Sequence, residues 1–341
     1  MWKYLLRKLV LVVPLVWSVV TLTFILVELS PGDISDKFFT PETPPEVREM
    51  IVEKYHLDDP AWVRYLAMLR NLATFDFGRS MAQERPVFDL IGDALPNTLL
   101  LSIVTLLVLY PVGILVGTLQ AVRHNSAFDT SASVGMLVMF SMPAFWLALM
   151  LQLAAFYWAG TLTDAVRAGA LSKSVADLLT LPSAGMVDAV MYDYMTPAEQ
   201  LFDRAKHLLM PGVALGIASA GSTARYMRSA VLEVIRQDYI RTARAKGLRE
   251  PAVILRHAMR NALLPIITLL GLSVPALFSG TVLVEVIFAW PGMGRLIVDA
   301  IFTQDTPVII ACFYVSTLLV AAGNLLADVA YAWADPRIRL E

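Results

Sequence analysis

The chain has 341 residues, 57% of them hydrophobic and only 16% charged, with a formal net charge of −2. Soluble domains average about 45–50% apolar and about 25% charged residues, so this excess excludes an ordinary water-soluble domain and points to an all-α integral membrane protein. The near-neutral charge excludes a strongly basic nucleic-acid binder, and the single cysteine, Cys312, excludes a disulfide framework or a cysteine zinc site.

A helix crossing a hydrocarbon layer of about 30 Å needs about 20 apolar residues. Stretches free of Asp, Glu, Lys and Arg predict six spans: Leu9–Val27, Ala94–Val122, Thr130–Thr163, His207–Ala224, Asn261–Val284 and Thr306–Ala327. Lys3, Arg7 and Lys8 precede the first. Its run is longer than the about 7–15 residues of a secretory signal and lacks a small-residue cleavage site, so residues 1–29 read as an uncleaved anchor. Residues 30–93 form an extracytoplasmic segment with two amphipathic stretches. Val47, Met50, Ile51 and Lys54 share one face of the first, and Trp62, Tyr65, Leu66, Leu69 and Leu72 share one face of the second, from Pro60 to about Phe75.

Residues 94–331 hold the other five spans, with an outer insert at 164–206 and a cytoplasmic segment at 225–260, and 332–341 form a tail. Asn97, after Pro96, is placed to cap the second span. Pro111, Gly113, Gly117, Pro143, Gly212, Gly216, Gly221, Gly271 and Pro275 lie within spans. They read either as close helix packing or as kinks that shape a path.

Six spans put both termini on one side, and charge says which. The N-terminus, the loop Arg123–Asp129, the segment Arg225–Arg260 and the tail carry 15 basic and six acidic residues. The opposite segments carry 12 basic and 20 acidic residues. By the positive-inside rule both termini and Arg225–Arg260 are cytoplasmic. Glu28, Glu285 and Asp328 lie near span ends, where interfacial solvation accounts for them.

Several chemistries have no residues to support them. The dipeptide Gly-Lys of a phosphate-binding loop does not occur, so any ATP hydrolysis belongs to another chain. His56, His124, His207 and His257 fall in four separate loops and form no metal-ligand motif. Met136, Met139 and Met142 sit at helical spacing, which reads as packing rather than soft-metal ligation. A secondary carrier or channel acting without an ATPase is weakened by the lack of ionisable groups deep in the spans. A membrane-embedded enzyme is weaker still.

The most informative stretch is Asp238–Leu248. Helical spacing groups Tyr239, Thr242, Ala243 and Lys246, Gly247 is suited to the C′ position, and Pro251 to opening a second helix. Ala243, Ala245 and Gly247 offer little bulk, so a partner surface has close access to the backbone, and the flanking arginines add charge complementarity. The alternative is a basic loop that only enforces topology.

The order Tyr239-Ile240-Arg241-Thr242-Ala243-Arg244-Ala245-Lys246-Gly247-Leu248, followed by Arg256-His257-Ala258-Met259-Arg260-Asn261-Ala262-Leu263-Leu264-Pro265, resembles binding-protein-dependent ABC importer permeases. It is most similar to the dipeptide, oligopeptide and nickel branch, in its first-permease, or B-type, form. Leu29–Asp33, Tyr55–Pro60, Phe75–Ser80, Leu95–Thr98, Trp290–Leu296 and Asp335–Arg339 agree along the chain. Arg241-Thr242-Ala243 stands where the wider family has Glu-Ala-Ala, and the distance from Gly247 to Leu264-Pro265 is longer than in sugar permeases; both features resemble the peptide branch.

The resemblance implies a type I importer permease fold in a bacterial inner membrane, with no catalytic or metal site and no cofactor in this chain. It implies a second homologous permease as a heterodimer partner, two cytoplasmic ATPase subunits that use ATP and magnesium, and an extracytoplasmic solute-binding protein. Tyr239, Ile240, Thr242, Ala243, Arg244, Ala245, Lys246, Gly247 and Leu248 would then couple to an ATPase. Ser141, Met142, Pro143 and Phe145 are the expected constriction of the pathway, and a peptide is the default substrate.

Overall fold

The computed structural model describes residues 2–30, 59–267, 269, 270, 273 and 281–334. Among them the regular secondary structure is helical, apart from one isolated bridge between Arg79 and Pro86. The amphipathic stretch at Val47–Lys54, Gly271, Pro275 and the tail motif Asp335–Arg339 lie outside the described residues. Among the described residues, four helical stretches are long and apolar enough to cross a bilayer: Leu6–Glu28, Val87–Val122, Ala144–Arg167 and Thr306–Asp328. The chain divides into two compact units, residues 1–94 with 296–322 and 341, and residues 95–295 with 323–340.

The first unit contains α1 (Trp2–Glu28) and α2 (Ala61–Ala73). The Arg64 guanidinium pairs with the Glu28 carboxylate, the Tyr65 and Thr21 hydroxyls are 2.7 Å apart, and Tyr65 packs on Phe24 at 5.3 Å. Glu28 is thus held by an ion pair on α2. In the same unit, buried Asp305 accepts from the Ser80 hydroxyl (2.5 Å) and from the N–H groups of Met81 (3.2 Å) and Ala82 (3.0 Å). One carboxylate therefore satisfies three donors of a loop that has no ladder to satisfy them.

The remaining helices begin with α3 (Val87–Val122), α4 (Ala127–Ser141), α5 (Ala144–Arg167), α6 (Lys173–Leu179) and α7 (Pro197–Ile235). Then come α8 (Asp238–Ala245), α9 (Glu250–Ala252), a π-turn at Val253–Ala258 and α10 (Met259–Ala262). Finally come α11 (Val282–Ile287), α12 (Met293–Phe302) and α13 (Thr306–Ala334).

Within the second unit, small residues set the spacing of α3 and α7. A Cβ on Gly117 would lie 2.4 Å from the Ala224 carbonyl oxygen, and one on Gly216 would lie 2.6 Å from Val108 Cβ. These glycines are where two helices touch, which is the packing reading of membrane glycines.

Two sequence expectations are corrected here. Asn97 does not cap a helix, because α3 begins ten residues earlier at Val87 and runs through Pro96. Asp89 and Asp93, which end the charge-free run, are tolerated in its first turns because carboxylates suit a helix N-terminus. Thr130–Thr163 is not one continuous helix either. α4 stops at Ser141, and Met142 (φ −78°, ψ 131°) and Pro143 (φ −58°, ψ 133°) are extended before α5 starts. Proline disfavours the α conformation in the residue before it, so Met142 is driven out of the helix.

Candidate functional site

Within α8 the sequence divides inward from outward residues. Ile240 is fully buried and Ala243 nearly so, packed in a cluster with Met227, Val231, Val234, Val253, Ala258 and Ala262. Tyr239, Arg241, Thr242, Arg244, Ala245, Lys246, Gly247 and Leu248 are exposed. Two apolar side chains thus pin the helix, and the rest of the predicted coupling residues form a free surface. Ala243, expected to share a face with Tyr239 and Thr242, faces the cluster instead.

The end of α8 is built by chemistry legible in its residues. Gly247 has φ +77°, the left-handed C′ conformation that glycine adopts without a Cβ penalty. Its N–H donates to the Arg244 carbonyl (2.9 Å). Arg244 grips Glu250 through Nε (3.1 Å) and Nη2 (2.5 Å), closing the turn, and Pro251 occupies the first turn of α9. That pairing lowers the Glu250 pKa and raises that of Arg244. On the other flank, Asn261 Nδ2 donates to the Tyr239 hydroxyl (2.7 Å).

One arginine of the basic segment is spent on structure. Arg228, on α7, binds Asp129 through Nε and Nη2, both at 2.8 Å, and its Nη2 lies 3.1 Å from His124 Nδ1. Asp129 stands in the first turn of α4, only 3% exposed, and also accepts from the Asn125 N–H at 3.0 Å. The Arg228 guanidinium, helped by the Asn125 N–H, holds its carboxyl well below the usual carboxylate range.

The break between α4 and α5 opens an apolar groove of about 470 Å³ lined by Leu137, Val138, Ser141, Met142, Pro143 and Trp146. Ser141, Met142 and Pro143 of the expected constriction line it. Phe145 is exposed but outside the lining. Among the described residues no three of His, Cys, Asp and Glu group to hold a metal ion.

A second node escaped the sequence reading. Glu285 is not solvated at an interface: it is fully buried. Its Oε1 accepts from the Thr98 hydroxyl (2.8 Å) and its Oε2 from the Arg295 N–H (3.1 Å). Thr98 Oγ1 accepts in turn from the Met293 N–H (2.8 Å). Trp290 Nε1 donates to the Asn97 carbonyl (3.0 Å), and Asn97 Nδ2 donates to the Pro291 carbonyl (2.8 Å). The Leu95–Thr98 and Trp290–Leu296 motifs are therefore two halves of one hydrogen-bonded knot. The signal was their co-occurrence; the pairing itself spans nearly 200 residues and has no local signature.

Residues 110–340 match the family described as binding-protein-dependent transport system inner membrane component. The oligopeptide transport system permease protein AppB of Bacillus subtilis is 38% identical over 98% of each chain. The dipeptide transport system permease proteins DppB of Alkalihalophilus pseudofirmus and Escherichia coli K12 are each 35% identical, covering 99% of this chain and 100% and 99% of theirs. Its relatives are transport permeases, not enzymes, and the chain belongs to the family of inner membrane components of binding-protein-dependent transport systems.

Proposed function

We propose that this chain is the permease subunit forming half of a peptide translocation pathway in the bacterial inner membrane, driven by ATP hydrolysed in partner subunits. In this reading it crosses the bilayer six times with both termini in the cytoplasm. It pairs with a second, homologous permease, receives its solute from an extracytoplasmic binding protein, and rests on two ATPase subunits that use ATP and magnesium. The relatives named for dipeptide and oligopeptide transport support the substrate class.

The observation that carries the coupling role is the division within α8. Ile240 and Ala243 tie the helix to the buried cluster, so a push on it is transmitted to α7 and α10, while Tyr239, Thr242, Arg244, Ala245, Lys246, Gly247 and Leu248 face outward. A partner seated there moves the helix ends as rigid bodies. The groove at Ser141, Met142 and Pro143 is the candidate gate, and Phe145 remains a candidate beside it.

The test is reconstitution of the importer with Gly247→Trp. Nothing lies within 4 Å of a Cβ built on Gly247, so the side chain leaves the backbone without a clash at its root, and its left-handed φ of +77° adds a backbone cost of its own. Loss of peptide uptake and of substrate-stimulated ATP hydrolysis is expected. Unchanged uptake and hydrolysis would refute the docking role, and ATP-independent uptake by this chain alone would refute the importer reading.

A further inference from the structure

Between the proposed dock and the groove lies one continuous mechanical route, entirely within the second unit. α8 follows α7 after two residues, Arg236 and Gln237. Two turns before the end of α7, Arg228 makes its bidentate bond to Asp129 at the start of α4. Further up α7, a Cβ on Gly221 would lie 2.5 Å from the Met136 carbonyl and 3.1 Å from Phe140 Cβ, so the two backbones are in close approach there as well. α4 is thus fastened to α7 at both levels, and one residue past Phe140 it ends in the groove. The next two residues, Met142 and Pro143, are extended and free α4 from continuing rigidly into α5.

We propose that the Asp129–Arg228 ion pair is a transmission strut, which makes α4 follow α7 when an ATPase moves α8 and so converts docking motion into rearrangement of the groove at Ser141. The proposal rests on reading α8 as the ATPase dock. Arg228 and Asp129 are positioning residues: neither lies on the outward surface of α8 nor lines the groove. A bidentate pair suits the task, because it resists both rotation and sliding where a single hydrogen bond would allow either. His124 and Arg123 stand at the same corner. His124 lies 3.5 Å from Asp129, and Arg123 stacks over Phe128 at 5.3 Å.

The test uses the assembled importer and needs no knowledge of the substrate. Ser141→Cys gives a labelling site in a background whose single native cysteine, Cys312, is fully buried. Its rate of reaction with a maleimide is measured without nucleotide and after trapping with ATP and vanadate. Trapping should change the rate about tenfold, within the range of ordinary coupling free energies. In Asp129→Asn and Arg228→Gln the change should shrink to less than about twofold while the ATPase subunits still co-purify and still hydrolyse ATP. The exchange Asp129→Arg with Arg228→Asp should restore most of it, which repair of mere stability in one element would not do.

The proposal is overturned if the parent rate ignores trapping, if Asp129→Asn keeps the full change, if the exchange restores nothing, or if the single variants lose the ATPases altogether. Failure of the docking reading shows separately, as uptake and substrate-stimulated ATP hydrolysis that are unchanged in Gly247→Trp.

Discussion

The Thr98 hydroxyl donates to Glu285 Oε1 at 2.8 Å, 187 residues away in sequence, and accepts from the Met293 N–H at the same distance. One threonine thereby links α3, α11 and the start of α12. Because Glu285 is fully buried, each of its hydrogen bonds carries the cost of desolvation if it is lost. Thr98→Val keeps the shape and removes both bonds. It should destabilise the protein by about 2 kcal/mol, at the middle of the range for a buried group left unpaired, and thermal unfolding in detergent measures it. Thr98→Ser should recover most of the loss.

Gly292 closes the same knot. A Cβ there would sit 2.5 Å from the Glu285 carboxyl carbon and 2.6 Å from Thr98 Oγ1. Gly292→Ala must push the carboxylate off its donors, an overpacking cost of about 1–3 kcal/mol. A lowered unfolding temperature and yield should follow, whereas Gly135→Ala, where nothing lies within 4 Å, should have little effect.

The Asp129–Arg228 pair gives a pH signature. The folded-state pKa of Asp129 is depressed, so its contribution to stability is complete above the unfolded value of about 3.9 and disappears as pH falls through the lower folded value. The difference in unfolding free energy between the parent and Asp129→Asn should therefore be constant from about pH 5 to 8 and shrink only below about pH 4. Removing one partner of a largely buried pair costs about 3 kcal/mol, the low end of the usual range because Arg228 is 27% exposed.

The Arg244–Glu250 pair is the contrasting case. Its side chains are 40% and 51% exposed, so solvent screens it, and Glu250→Gln should cost at most about 1 kcal/mol. Any larger effect of that substitution on ATP-driven uptake than on unfolding temperature would then belong to the shape of the turn after α8.

Much of this was readable in the residues. The charge-free runs locate α1, α3 and α13, and Gly247 ends its helix for the reason its side chain suggests. The start of α7 shows where the rule of uncharged runs is too coarse. That rule begins the span at His207, yet the helix begins at Pro197, behind a capping box in which the Thr196 N–H donates to Glu199 Oε2 (2.8 Å) and Glu199 N–H to Thr196 Oγ1 (3.4 Å). Asp203, Arg204 and Lys206 lie inside that helix because they sit above the apolar stretch. Glu285 was visible as a charge near a span end, but its burial depends on Thr98 and Arg295, which no local pattern brings together. The groove follows from Pro143, whose effect on Met142 is local, although nothing in periodicity says that the two helices diverge there.

Contact between the outward surface of α8 and an ATPase is tested most directly by cross-linking. Ala245 is exposed, is the last residue of the helix, and can be replaced by cysteine while the single native cysteine remains buried. In membranes holding the assembled importer, Ala245→Cys should form a specific cross-link to an ATPase subunit through a short bifunctional thiol reagent, with a yield that changes when ATP and vanadate are added. Absence of any ATPase adduct from Ala245→Cys, Lys246→Cys and Leu248→Cys alike would contradict the account.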